Sequence, residues 1–129
     1  HNALTAFRKR VMLWPMKLAF IYQPVDDMAD ALAFYRDQLG FTEAWREGEA
    51  TVAFELPGSE VQLMVDVPPD DHPRWGPGAF FQVDDVDAFV KEHPDLRWLG
   101  DTIDIPGGRE ASFSDPAGNV IHLLDQSGS

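Results

Sequence analysis

The sequence predicts an α+β fold in which two βαβββ modules join their strands in one open, curved, eight-stranded barrel-like sheet. Three observations carry this expectation. The order strand, helix, strand, strand, strand is spelled once between residues 17 and 65 and again between residues 79 and 125. Each helical pattern opens on an aspartate pair, Asp26-Asp27 or Asp84-Asp85, and closes at Gly40 or Pro94, the cap and stop residues of short helices. The repeats are separated by a stretch with four prolines in eleven residues, 67–77, which can extend neither a helix nor a ladder. Units of this size can barely bury a core alone, so the two are expected to curve around a common concavity.

The elements follow in order. Residues 17–25 (KLAFIYQPV) are rich in aromatic and branched side chains and read as a strand, with Pro24 near its end as a strand terminus or edge marker. Met28, Leu32, Tyr35 and Leu39 are spaced by four, three and four, which is one face of a helix, and Gly40 occupies the position after its end. Phe41 to Arg46 reads as a strand turning at Glu47-Gly48. Thr51 to Leu56 is another, closed by Pro57-Gly58, and Glu60 to Val65 is a third. After the linker, Ala79 to Val83 is a strand, and the helix behind it sets Val86, Phe89 and Val90 on one face. Leu96 to Leu99 and Thr102 to Ile105 form the next strand region, broken at Pro106-Gly107-Gly108. A hairpin closes the chain: two apolar runs flank Asp115-Pro116-Ala117-Gly118-Asn119, where Pro presets φ and Gly or Asn accepts a turn.

In domain terms, residues 1–15 read as a leader or an extension left by cloning, with Met12 or Met16 as plausible native starts. Residues 16–126 read as a single domain with modules at about 17–66 and 78–125 and a linker at 67–77, and residues 127–129 as a tail. Arg8, Lys9 and Arg10 stand in a leader without acids, so the remaining chain sets seven basic against 22 acidic residues, a charge of −15. Such a surface repels phosphate backbones and anionic lipid, so neither nucleic acid nor membrane is an expected partner. The chain has no cysteine, which removes disulfides, thiolate nucleophiles and Cys-zinc sites and fits a cytoplasmic location. No apolar run approaches the roughly 20 residues that span a bilayer.

Three segments in register, residues 31–41 (ALAFYRDQLGF), 79–89 (AFFQVDDVDAF) and 108–123 (GREASFSDPAGNVIHL), resemble the glyoxalase/bleomycin resistance protein/dioxygenase superfamily, the vicinal-oxygen-chelate fold. The resemblance covers about residues 17–125, and its last block is most similar to bleomycin-resistance-type members. It implies a divalent metal held by side chains from the first and last strands of each module. On this chain those positions are Phe20, Gln62, Gly78 and His122, and moving each by one or two residues reaches only Tyr22, Gln23, Met64 and Gln82. A catalytic metal normally has about three protein ligands, usually imidazole or carboxylate, so no metal and no cofactor is expected. What the resemblance leaves is a cavity for a small organic ligand, with Phe20, Tyr22, Gln62, Met64, Phe80, Gln82 and His122 as candidate lining. It also implies a homodimer.

Each candidate has a plainer reading. The lining side chains could pack against one another, and His122 could be a satisfied core residue. Trp75 beside His72 and Arg74 reads as an aromatic lid, an interface anchor or a core cover. Trp45 and Trp98 fit a core or a pocket rim. Arg109 reads as a strand-end ion pair rather than a ligand clamp, and His93 as a helix C-terminal residue. Asp84, Asp85 and Asp87 lack the loop spacing of a calcium site, and Asp70-Asp71-His72 lacks partners. Ser112 and Ser114 share a hairpin with His122, but no acid is placed by sequence to orient the imidazole as a nucleophile would require. Three functions remain open: a metal-free binding protein, an enzyme using a divalent metal or His122 as general acid/base, and a regulatory module with a filled cavity.

Overall fold

In the computed structural model, residues 15–71 and 75–127 are described. The readings of Arg8 to Arg10, Met12, His72 and Arg74 lie outside them. Among the described residues, nine strands form one mixed, unclosed sheet: β1 (Lys17–Pro24), β2 (Glu43–Glu47), β3 (Thr51–Glu55), β4 (Gln62–Asp66), β5 (Gly78–Gln82), β6 (Arg97–Trp98), β7 (Ile103–Ile105), β8 (Gly108–Ser114) and β9 (Val120–Leu124). Their spatial order is β2-β3-β4-β1-β5-β9-β8-β6, with β7 also paired to β8. The count exceeds the expected eight because the segment after the second helix bends at Gly100 (φ 74°) and pairs with β8 twice, through Trp98 opposite Phe113 and through Ile103 opposite Glu110.

The first helix begins where expected. Asp27 is its N-cap, accepting from Asp30 N–H at 2.9 Å, and α1 runs over Met28–Leu32. It then widens into a π-helical stretch, Ala33–Gln38, in which Leu39 N–H donates to Phe34 O at 2.9 Å. The extra residue in each loop of an i→i+5 turn breaks the expected face. Met28, Leu32 and Tyr35 still pack inward, but Leu39 is turned out to solvent. The second helix, α2 (Val86–Glu92), is capped by Asp85, which accepts from Ala88 N–H at 3.0 Å.

Side-chain alternation along each strand gives the sheet two apolar faces. On the outer face, α1 covers Val52, Phe54, Leu63 and Val65, while α2 covers Ala111, Phe113 and Leu123 through Val86 and Phe89. Trp98 belongs to this second core, edge-on to Phe89 and Phe113, with its indole N–H donating to His93 O. The concave face carries Tyr22, Phe80 and Leu124, with Phe20, Met64 and Ile105 beside them. The hairpin turn is held as its sequence suggests: Asp115 accepts from the backbone of Ala117 and Asn119 and from the Asn119 amide, and Gly118 takes φ 91°.

The halves meet at β1 and β5, which are antiparallel, whereas β1 with β4 and β5 with β9 are parallel. Phe20 lies opposite Gln62 on one side and opposite Phe80 on the other, and Phe80 lies opposite His122. Gln62, Phe20, Phe80 and His122 therefore form one row across four strands. Within it Phe80, not Gly78, is the counterpart of Phe20. Gly78 stands opposite Tyr22, one row further along.

Candidate concave binding site

The concave face encloses a cavity of about 770 Å³. Six of the seven candidates from sequence border it: Phe20, Tyr22, Met64, Phe80, Gln82 and His122. Gln62 does not. Its carboxamide oxygen accepts from the Trp45 indole N–H at 2.9 Å, so it holds Trp45 in place, and Trp45 itself faces the cavity and meets Phe20 edge-on at 5.7 Å. Trp75, from the linker, lines the cavity as well.

His122 lies at the cavity floor, 2% exposed. Its ring stacks on Phe80 with centroids 4.5 Å apart and meets Tyr22 at 5.2 Å. Burial among these rings removes the water that would solvate an imidazolium, and it lowers the pKa of His122 to about 4. The ring is neutral at physiological pH. Its Nδ1 is 2.7 Å from Ser112 Oγ, and its Nε2 has no hydrogen-bond partner among the described residues. Counting donors decides the tautomer. If Nδ1–H donated to Ser112, both the hydroxyl proton and the Nε2 lone pair would be left alone, because Ser112 Oγ has no second partner among the described residues. If Ser112 donates to Nδ1, a single group is left, Nε2–H. An unmade buried hydrogen bond costs about 1–3 kcal/mol, so the second arrangement wins. His122 thus keeps one N–H donor without a partner among the described residues, itself buried beside the cavity floor. A Cβ at Gly78 would lie 3.8 Å from Nε2, in ordinary contact.

The Ser112–His122 pair does not make a nucleophile. Both residues are buried, and an imidazole that resists protonation until about pH 4 is a weak base for a hydroxyl. The row suggested for a metal does not fit one either. It supplies two phenyl rings, one amide already committed to Trp45, and one imidazole. No three His, Cys, Asp or Glu side chains among the described residues cluster to hold an ion.

Glu110 was not among the residues singled out from sequence. On β8 it follows Gly108 and Arg109, and alternation turns it and Ser112 to the concave face while Ala111 and Phe113 enter the outer core. Desolvation, and then the negative charge of Asp66, raise its carboxyl pKa to about 7. The period-two pattern Glu110-Ser112-Ser114 was a readable signal, but which face it joined was not. Asp66 accepts from Tyr22 Oη at 2.9 Å and Thr51 Oγ1 at 2.7 Å. Glu47 and Asp101 complete the acidic lining, and no Lys or Arg is among the described residues that border the cavity.

The remaining candidates take their plainer roles. Arg109 Nη1 donates to Asp104 at 2.6 Å and Nη2 to Asp87 at 3.3 Å, an ion-pair clamp at the sheet edge. His93 Nδ1 is 2.8 Å from Phe89 O at the end of α2. Asp84 and Asp85 lie at the start of that helix, with Asp85 as its cap. No helix among the described residues is long and apolar enough to cross a membrane.

A family model for the Glyoxalase/Bleomycin resistance protein/Dioxygenase superfamily matches residues 17–123. Among solved structures, the chain is similar to methylmalonyl-CoA epimerase from Mycobacterium tuberculosis, with 21% identity, TM-score 0.67, and coverage of 91% of this chain and 94% of that one. It is also similar to a superfamily member from Vibrio splendidus 12B01 (14% identity, TM-score 0.60, coverage 86% and 99%). A third similar structure is described as an NAD-dependent benzaldehyde dehydrogenase from Legionella pneumophila (16% identity, TM-score 0.69, coverage 82% and 96%). At these identities the likeness concerns the fold. No curated protein matches the chain.

Proposed function

Because the chain belongs to the glyoxalase/bleomycin resistance protein/dioxygenase superfamily, we propose that it uses the concave face of that fold to bind a small organic molecule, without a catalytic metal. The observation that carries this reading is the cavity itself. About 770 Å³ is bordered by Phe20, Tyr22, Trp45, Trp75 and Phe80, with a buried imidazole N–H left for a ligand. A mainly apolar concavity with a few convergent polar groups is the usual form of a ligand site. Phe20, Tyr22, Met64, Phe80, Gln82 and His122 are the proposed contacts, and Gln62 acts through Trp45.

Trp45 and Trp75 provide the test. Aromatic compounds that fill the cavity are expected to change tryptophan fluorescence and to raise Tm, since a ligand bound only by the native state stabilises it. Trp45→Phe with Trp75→Phe should abolish the optical signal while keeping the Tm shift. Elemental analysis of protein purified without chelator should find no stoichiometric divalent ion, and one ion per chain would overturn the metal-free part. A homodimer and a cytoplasmic location complete the reading. Leu18 and Ile21, apolar and about two-fifths exposed on β1, support the first, and the cysteine-free composition supports the second. Light scattering giving the mass of one chain would refute the dimer.

A further inference from the structure

We propose that the ligand is an organic cation that also carries a hydrogen-bond acceptor: its charged nitrogen sits at Glu110 and Asp66, and its acceptor atom receives Nε2–H of His122. This rests on the cavity being a binding site and names the chemistry that site selects.

Two independent features point to it. One is the orphaned donor, an imidazole 2% exposed that borders the cavity, stacked in place by Phe80 and fixed as a donor by Ser112. A neutral N–H at the floor of an apolar cavity calls for a carbonyl-type acceptor, because leaving it unmade is costly. The other is the one-signed lining. Glu110 from the second module and Asp66 from the first face the same space, Glu47 and Asp101 add to it, and no Lys or Arg opposes them among the described lining residues. Tyr22 and Thr51 already occupy positions on Asp66, whereas Glu110 has no hydrogen-bond partner among the described residues. Desolvation, and then the negative charge of Asp66, raise its carboxyl to about 7, and no positive group among the described lining residues offsets either effect. A bound cation supplies a positive charge there, and the aromatic rings around it add cation–π attraction.

The spacing suits one small molecule. Ser112 lies opposite His122 and Glu110 opposite Leu124, so Glu110 and His122 are diagonal neighbours on one face, with Cβ atoms about 7 Å apart. An acceptor and an ammonium group separated by a short alkyl chain bridge them.

The experiment compares four benzene derivatives of equal length with the full chain by calorimetry and ligand-observed NMR. N-(aminopropyl)benzamide has both features. N-butylbenzamide lacks the charge, benzamidobutyrate reverses it, and phenylpentylamine lacks the carbonyl. The first is expected to bind about tenfold or more tighter than each of the others, the size of one charge-assisted hydrogen bond. Glu110→Gln should lower its affinity to about that of N-butylbenzamide. Equal affinity across the four, or tightest binding of the carboxylate, overturns the proposal while leaving the cavity as a binding site. If none of the four binds, the proposal and the binding reading fall together. The comparison within wild-type protein decides the matter even where a variant folds poorly.

Discussion

Replacing Glu110 by Gln should stabilise the protein above neutrality and leave it unchanged in acid, and two titratable groups of the cavity, half-buried Glu110 and buried His122, explain why. In the native state Glu110 keeps its proton up to about pH 7, against an ordinary value of 4.5. Between those limits the folded chain holds more protons than the unfolded one, so stability falls as pH rises and the loss is complete above pH 7. The shift of about two and a half units corresponds to about 3 kcal/mol. His122 acts in the opposite sense. Its folded value of about 4 lies below the ordinary 6.5, so its contribution is intact above pH 6.5 and is lost as pH falls towards 4. In the wild type the two slopes oppose each other over their shared window, and the net pH dependence from this pair is small. Gln is isosteric with the protonated acid and cannot ionise, so Glu110→Gln removes one slope and exposes the other. The difference between variant and wild type should be near zero at about pH 4 and reach about 3 kcal/mol in favour of the variant at about pH 8. Other carboxylates titrate in both proteins and leave the difference. Urea unfolding across this range reads it as a midpoint shift of about 1–3 M. A difference that does not change with pH, or a variant less stable at pH 8, would refute the reasoning.

Three further outcomes follow from the same structure. The His122 ring is expected to stay neutral, with its proton on Nε2, between about pH 5 and 8; nitrogen-detected NMR showing ordinary titration near 6.5 would contradict its burial. Asp125 is fully buried and accepts from Val86 N–H at 2.6 Å and Arg109 N–H at 3.0 Å, with Ser127 as a further donor. Burial pushes its carboxyl up, but these donors together outweigh it and hold it below the usual value, so its contribution is present at neutral pH and is lost as pH falls through the folded value. Asp125→Ala strands the Val86 and Arg109 donors and should cost about 3–5 kcal/mol in chemical denaturation; a cost under 1 kcal/mol would deny it a structural role. Gly78→Ala places a Cβ 2.7 Å from Val120 O, which forces β5 and β9 apart and should cost about 1–3 kcal/mol. An unchanged Tm would show that the strands yield freely there.

The helix caps Asp27 and Asp85, the stop at Gly40, the Asp115–Asn119 turn and the proline-rich break were all legible in the chain, because each is a contract between residues a few positions apart. The duplicated order of elements was legible for the same reason, and two half-sized units dictated a shared, curved sheet. Six of seven cavity candidates were reached through strand alternation. Leu39 left its expected face because a π-turn, which spacing does not announce, added a residue to each loop of the helix. Gln62 left the cavity wall because Trp45, seventeen residues away, took its carbonyl oxygen.

What the chain alone determined is therefore the local grammar of the fold and the identity of its cavity-facing strands. Register across those strands belongs to the tertiary structure. It set Phe80 rather than Gly78 opposite Phe20 and stacked Phe80 on His122. It also brought Glu110 from one module into the field of Asp66 from the other. These pairings depend on packing between residues 42 to 60 positions apart, where a slip of one residue reverses every side chain. No rule of local spacing can fix that choice, and the cavity's chemistry depends on it.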